Sequence, residues 1–146
     1  MIVLDTNVVS EPLRPRPDPA VLHWLRGLDE PVAITAVTQG ELLAGAYALP
    51  YGRRRSALID AIETILAAED GRVLPYDALA ARRYAQLLSS NRAVGRALST
   101  EDGMIAAICS VHAATLATRN VIDFAGLGLT VIDPWNTPVP AGPKGA

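Results

Sequence analysis

The chain has 146 residues, of which half are hydrophobic and 19% are charged. This is the size and composition of one folded domain, and it excludes a wholly disordered chain. The 13 basic and 15 acidic residues give a formal net charge of -2, so the strongly basic surface of many nucleic-acid-binding proteins is absent. The basic residues are twelve arginines and one lysine, Lys144, which excludes mechanisms that need a buried lysine, including a Walker-type phosphate loop.

The single cysteine, Cys109, excludes an intramolecular disulfide and a thiolate metal site. It lies in the apolar run 104–111, which predicts a buried and unreactive thiol. The first residues carry no basic stretch and reach a carboxylate at Asp5, so we do not expect a signal peptide. The longest uncharged stretch, residues 103–118, is shorter than the roughly 20 apolar residues of a membrane span. We therefore expect a cytoplasmic protein.

Short apolar runs alternate with helix-period patterns along the chain. In chain order these patterns predict a strand at 2–4, a proline-rich loop at 11–18, a helix that begins at Pro19 behind an Asp18 N-cap, a strand at 32–34, helices at about 38–49 and 56–68, a strand at 72–75, helices at 77–91 and 99–112, and strands at 114–117 and 129–132. Strands that are apolar throughout and alternate with helices are typical of an α/β protein with a parallel sheet. We expect residues 1–136 to form a single domain and residues 137–146 a flexible tail.

Four acidic residues are predicted to lie at one edge of this sheet. Asp5 follows the first strand, and Asp123 follows the strand at 114–117. Glu41 lies in the first predicted turn of the helix after the second strand, and Asp102 opens the helix at 99–112. Ligands of open parallel sheets bind beyond the carboxyl ends of the strands. Carboxylates that converge there repel one another unless a cation is present, and an all-oxygen site without Cys or His suits Mg²⁺ or Mn²⁺.

Each acid also has a purely structural explanation. Glu41 stands three residues after Thr38, and Asp102 three residues after Ser99, which is the spacing of a helix capping box. The two acids that follow strands suit turns, in which Asp side chains bond to nearby backbone groups. The metal-site interpretation therefore depends on the four acids taken together.

Five stretches resemble the PIN-domain ribonucleases and, within them, the VapC-type toxins of the FitB-like group. The stretches are IVLDTNVVSE at 2–11, ITAVTQGEL at 34–42, DGMIAA at 102–107, LATRNVIDF at 116–124 and VIDPW at 131–135. The resemblance covers residues 1–135 and implies a PIN domain over 1–136, with a three-layer α/β/α fold around a central parallel sheet. One departure is Ala113, where many relatives carry glycine; it lies away from the acids, so we expect no functional effect.

The resemblance implies a metal-dependent endoribonuclease that hydrolyses RNA phosphodiester bonds, as the toxin of a toxin–antitoxin pair that inhibits translation and growth. It implies that Asp5, Glu41, Asp102 and Asp123 are the catalytic and metal-holding acids, supported by the polar residues Thr6, Asn7, Thr118 and Asn120. We expect Asp5 and Asp102 to contact Mg²⁺ or Mn²⁺, and Glu41 and Asp123 to orient water or a second ion. In-line attack of water would leave a 5′-phosphate and a 3′-hydroxyl.

RNA binding near an acidic pocket requires basic groups. The candidates are Arg53, Arg54, Arg55, Arg82, Arg83, Arg92 and Arg96. Arginine binds phosphate in a bidentate manner, although arginines in such positions also form ordinary solvated helix surfaces. The expected RNA is a tRNA or an rRNA.

The resemblance also implies protein partners. These are a cognate antitoxin whose tail covers the active site, a second copy of the chain in a homodimer, and higher toxin–antitoxin oligomers. Apolar helices around residues 22–28 and 42–66 are candidates for the antitoxin groove. We expect no membrane partner.

Other enzyme classes fit the sequence less well. A haloacid-dehalogenase site needs a second Asp where Asn7 stands, and a receiver domain needs a lysine after a late strand. A nucleotide-binding fold needs a glycine-rich loop after the first strand. His23 and His112 lie in predicted amphipathic helices and are poor candidates for a general base. The alternative that remains open is a catalytically silent PIN-like module that binds RNA or protein.

Overall fold

A computed structural model describes residues 1–68 and 72–138. Its strands are β1 (Ile2–Leu4), β2 (Val32–Thr35), β3 (Val73–Leu74), β4 (Thr115–Ala117) and β5 (Val131–Ile132). Its α-helices are α1 (Thr6–Ser10), α2 (Pro19–Arg26), α3 (Ala36–Tyr47), α4 (Arg53–Ala67), α5 (Ala78–Ala93) and α6 (Thr100–Val111). Two 3₁₀ helices span Glu11–Leu13 and Val121–Phe124. Most of the predicted tail, residues 139–146, lies outside the described residues.

The five strands form one parallel sheet in the order β3-β2-β1-β4-β5. β1 is central, with Ile2 opposite Val32 on one side and Thr115 on the other. The chain builds outward from β1 to β3 and then crosses to the other side of β1 to add β4 and β5. The strand order therefore reverses between β1 and β4, which is the position where open α/β sheets place their ligands.

Each face of the sheet is covered by helices, because alternate strand residues enter two separate cores. Val3, Ala33 and Leu116 join the core that includes Leu87 of α5 and Ile105 of α6. The neighbouring strand residues Ile2, Leu4 and Ile34 join a second core, which includes Trp24 of α2, Leu42 of α3 and Ile62 of α4. The molecule is thus a three-layer α/β/α sandwich, and the predicted fold class is confirmed.

Polar side chains define where the helices begin. The Asp18 carboxylate accepts a hydrogen bond from the Ala20 N–H at 2.8 Å, and so caps α2 as predicted. At α3 the cap is Thr35, whose hydroxyl oxygen accepts from the Thr38 N–H at 3.0 Å. The helix therefore begins two residues earlier than predicted. Glu41 lies in its second turn instead of its first, and a capping box with Thr38 is excluded.

The sequence pattern did not predict two local features, a short helix after β1 and a left-handed residue after α6. The short helix α1 follows β1 directly, capped by Asp5, whose side chain accepts from the Thr6 N–H. Ala113, just after α6, adopts a left-handed backbone with φ 49°. Glycine adopts this conformation without steric cost, whereas alanine does not. Within the described ranges, no helix combines the length and apolarity that a membrane crossing requires.

Candidate active site

Asp5 is the most firmly held of the four acids. Its backbone N–H continues the ladder between β1 and β4 by donating to the Ala117 carbonyl at 2.9 Å. The side chain is only 4% exposed. One carboxylate oxygen accepts from the Thr6 N–H at 2.8 Å, and the other accepts from the Thr118 hydroxyl at 2.7 Å. These donors fix the carboxylate at the reversal point of the sheet.

Thr118 and Asn7 join the ends of β1 and β4 through a polar network. The Thr118 hydroxyl donates to Asp5 and accepts from the Asn7 amide at 3.4 Å and from the Asn120 N–H at 3.1 Å. The Asn7 amide also donates to Asp5 at 3.3 Å, and its carbonyl oxygen accepts from the Arg119 N–H at 3.1 Å. The structure therefore brings three of the predicted supporting residues into contact with one another around Asp5.

Thr6, the fourth supporting residue, connects Asp5 to the second acid. Its N–H donates to Asp5, and its hydroxyl donates to the Glu41 carboxylate. Glu41 is half-buried on the second turn of α3. Because α1 begins immediately after β1, Thr6 contacts both Asp5 and Glu41 and helps to position the two carboxylates.

Asp102, in the first turn of α6, and Asp123, in the 3₁₀ helix after β4, complete the acidic group. Burial raises the pKa of Asp102; a hydrogen bond with Ser99 acts against this, while the charges of Asp5 and Asp123 add to the rise. Asp123 lies exposed in the 3₁₀ helix Val121–Phe124. Across residues 1–68 and 72–138, no basic side chain forms an ion pair with any of the four acids. Within these residues, no ion pair therefore offsets the negative charge of the group.

The donor set fits a hard divalent cation. In the described part of the chain, no three acidic, histidine or cysteine side chains converge on one point as they stand. Mg²⁺ does not require such convergence, because it keeps several waters and is usually bound by one or two carboxylates. A buried carboxylate oriented by hydroxyl and amide donors, next to Asp102 and without a basic partner, provides ligands of the required type.

The structure separates the seven candidate RNA-binding arginines. Arg96 lies beside the acidic group: its guanidinium donates to the Ala125 carbonyl at 2.8 Å and lines the same cavity as Asp123. Arg83 instead donates to Ser110 at 2.8 Å. Ser110 is eight residues beyond Asp102 on α6, which corresponds to about 12 Å along a helix.

The other five arginines differ in their surroundings. Arg55 lies 4.1 Å from the ring centroid of Tyr51 and 5.3 Å from that of Tyr47, and it donates to the Leu49 carbonyl at 3.4 Å. Arg53, Arg54, Arg82 and Arg92 are exposed. None of these five is brought to Asp5 by a described hydrogen bond or ion pair.

Some residues near the acids were missed at the level of sequence. Arg119 directly follows Thr118, and its guanidinium lies 5.0 Å from the centroid of the Trp135 ring. Glu11 is 4% exposed and accepts from the Asp18 N–H at 2.8 Å and from Arg14 at 3.3 Å, which holds the loop between α1 and α2. The Arg119 contact depends on packing between separated segments, whereas the Glu11 contacts form within one loop, between residues three and seven positions apart.

The residues judged unsuitable for catalysis lie as expected. His23 and His112 are exposed, and His112 caps the end of α6 opposite Asp102. Cys109 is fully buried, and burial together with the Asp5 charge raises its pKa to about 12. The prediction of a buried thiol is confirmed.

Comparison with known proteins identifies similar chains over almost the whole length. The PIN domain family model matches residues 2–125. The chain is 42% identical to the VapC ribonuclease Y4jK of Sinorhizobium fredii over 137 residues, covering 92% of this chain and 98% of that protein. It is 41% identical to the toxin FitB of Neisseria gonorrhoeae over 138 residues, covering 93% and 99%.

A solved structure shares the fold closely. The crystal structure of FitAcB from Neisseria gonorrhoeae superposes with a TM-score of 0.89 at 40% sequence identity. The match covers 94% of this chain and all of that chain.

Proposed function

The chain belongs to the PIN-domain family, and from this premise we propose that it is a divalent-metal-dependent endoribonuclease acting as the toxin of a toxin–antitoxin pair. The observation that carries the proposal is the Asp5 carboxylate, which is buried, held by three side-chain and backbone donors, and close enough to Asp102 to raise that residue's pKa. The names of two relatives, a VapC ribonuclease and a toxin, support the same activity.

The four acids have different tasks in the proposed hydrolysis. Asp5 and Asp102 would hold Mg²⁺ or Mn²⁺, which when bound lowers the pKa of the attacking water and offsets the charge of the scissile phosphate. The Thr6 hydroxyl holds the Glu41 carboxylate by a hydrogen bond, and Glu41 would orient water or a second ion. The exposed Asp123 carboxylate closes the other side of the group. In-line attack on the phosphodiester would leave a 5′-phosphate and a 3′-hydroxyl.

An apolar groove next to Glu41 supports the proposed antitoxin partner. Two adjoining cavities of about 290 and 380 Å³ share Leu13, Gly45 and Leu58 in their linings. The first also includes Thr6 and Glu41, so the groove reaches the acidic group. An amphipathic antitoxin helix would place its apolar face in this groove, and a basic residue beyond the helix would reach the acids. The homodimer stays a prediction.

Cleavage of a labelled RNA pool tests the proposed activity. We expect cleavage in Mg²⁺ or Mn²⁺, loss of cleavage in EDTA, and loss of cleavage in Asp5→Asn, because the neutral amide lacks the negative charge with which a carboxylate binds the cation. Asp60→Asn is the matched control, since Asp60 is an exposed acid on α4 away from the site. Circular dichroism would verify that both variants fold.

Two results would refute the assignment. Undiminished cleavage in EDTA would exclude metal dependence, and full activity of Asp5→Asn would exclude the acidic group as the site. Tight RNA binding without any cleavage would favour the catalytically silent module instead.

A further inference from the structure

A cavity of about 310 Å³ lies against the acidic group, between the end of α5 and the 3₁₀ helix Val121–Phe124. Its lining residues are Asn91, Arg96, Ala97, Ile122, Asp123 and Ala125. Because Asp123 belongs both to this lining and to the four acids, a molecule in the cavity would lie next to the scissile phosphate of the proposed reaction.

Asn91 contributes a side-chain amide that has no hydrogen-bond partner among the described residues. Asn91 is 5% exposed, in the last turn of α5. Its backbone carbonyl accepts from the N–H groups of Val94 and Arg96 and ends the helix. No fully enclosed side-chain polar atom in the described residues lacks a partner, so the amide belongs to the small exposed part of Asn91, which lines the cavity.

Arg96 is fixed at the rim of the same cavity. Its guanidinium donates to the Ala125 carbonyl at 2.8 Å and lies across Gly126. A Cβ atom at Gly126 would stand 2.6 Å from the Arg96 Nη1 atom, and Gly126 has a φ of 77°. Glycine at this position leaves room for the guanidinium and adopts the left-handed backbone without steric cost. One N–H of the Arg96 guanidinium donates to the Ala125 carbonyl. The other guanidinium N–H groups can donate to a ligand.

We infer that this cavity is a nucleobase subsite, in which Asn91 reads one unpaired base next to the cleaved phosphate. The inference rests on the proposed ribonuclease function. An Asn amide presents one donor side and one acceptor side to a base edge. Ile122, 87% exposed, offers an apolar surface for the face of the base, and guanidinium planes also stack on bases.

The lining holds one positive and one negative side chain, Arg96 and Asp123, and this balance suits an uncharged base better than a phosphate. The Asp123 carboxylate can accept from the N–H groups of a base. The base must leave its stack to enter, so the substrate is single-stranded RNA or a loop.

Sequencing of cut ends tests the role of Asn91. The variant is Asn91→Leu, which keeps the side-chain shape and removes the amide, and Ser90→Ala is the control on the exposed face of the same helix. We expect Asn91→Leu to reduce base preference at one position of the cut site by roughly 5- to 150-fold, the discrimination of a bidentate contact. Ser90→Ala should keep the wild-type preference.

Binding in a cleavage-deficient background separates this inference from the proposed function. Short single-stranded RNAs that differ in one base would be titrated against Asp5→Asn, with and without Asn91→Leu. Base discrimination that Asn91→Leu abolishes supports the subsite even if the wild-type protein cleaves no RNA. An unchanged preference in Asn91→Leu, or a variant that is only less stable in thermal unfolding, would overturn the inference.

Discussion

At the scale of single residues, Thr118 shows how one hydroxyl can organise a site. A hydroxyl group has one donor and two acceptor positions, and Thr118 uses all three, on Asp5, Asn7 and Asn120. The side chain is fully buried, so none of these positions is shared with bulk solvent. The orientation of the Asp5 carboxylate is therefore set by protein groups before any substrate arrives.

Asp102 is predicted to lower the stability of the metal-free protein. Its pKa in the folded state is raised, first by burial and then by the charges of Asp5 and Asp123. The folded protein therefore binds a proton more readily than the unfolded chain, and the ionised form destabilises the fold as pH rises above 3.8, the ordinary value. We expect Asp102→Asn to raise the unfolding temperature at neutral pH in EDTA and to abolish cleavage.

The pH dependence distinguishes this effect from a general gain in packing. The stability advantage of Asp102→Asn should shrink as pH falls toward 3.8, because the wild-type carboxyl is then protonated. Asp60→Asn, the same change at an exposed acid on α4 that does not contribute to the Asp102 shift, is the control and should not stabilise the fold. An Asp102→Asn variant that is less stable than wild type at neutral pH would contradict the argument.

At the scale of elements, the turn after α6 carries a small strain. Ala113 has a φ of 49°, a left-handed conformation that costs an L-residue roughly 1–2 kcal/mol. Glycine avoids this cost but loses more conformational freedom on folding. We expect Ala113→Gly to raise the free energy of unfolding by about 0.5–1 kcal/mol, measured by urea denaturation, with cleavage unchanged.

Ala48→Gly is the matched control for the turn. Ala48 ends α3 with a right-handed φ of -72°, where glycine only adds flexibility to the unfolded chain. This variant should be less stable by about 0.5–1 kcal/mol. If Ala113→Gly lowered the free energy of unfolding as Ala48→Gly does, the backbone strain at Ala113 would be smaller than the entropic cost of glycine, and the prediction would be wrong.

The elements show what a sequence pattern can and cannot predict. The strands were found because buried parallel strands are continuous apolar runs, although β4 and β5 are shorter than predicted. Helix α1 was missed because five residues are too few to show a period. The start of α3 was misplaced because Thr35 and Thr38 are both good caps, and only the fold selects Thr35.

In the active site, too, sequence patterns predict local features but not contacts between distant segments. The four acids could be proposed from the sequence because strand ends and helix starts are local features, and parallel topology then assigns them to one edge. The contact between Arg119 and Trp135, and the amide of Asn91 in its cavity, depend on packing between distant segments. No local pattern marks them.

At the scale of the whole molecule, the net charge of -2 conceals a separation of charge. Setting Asp5, Glu41, Asp102 and Asp123 aside reduces the acidic residues from fifteen to eleven, against thirteen basic ones. The remainder of the chain is thus modestly positive, while the acidic group is negative and lacks a basic partner in the described residues. The nearly neutral total is therefore compatible with an RNA substrate once a cation offsets the acidic group.

A cation that binds only the folded state must also stabilise it. At a free concentration one hundred times its Kd, Mg²⁺ or Mn²⁺ would add about 2.7 kcal/mol to the free energy of unfolding. In a domain of this size that corresponds to an increase in Tm of roughly 5–10 °C. Thermal unfolding with and without the metal measures the effect without any RNA. The increase should disappear in Asp5→Asn and persist in Asp60→Asn, since only Asp5 belongs to the acidic group. An equal increase in both variants would place the metal elsewhere on the molecule.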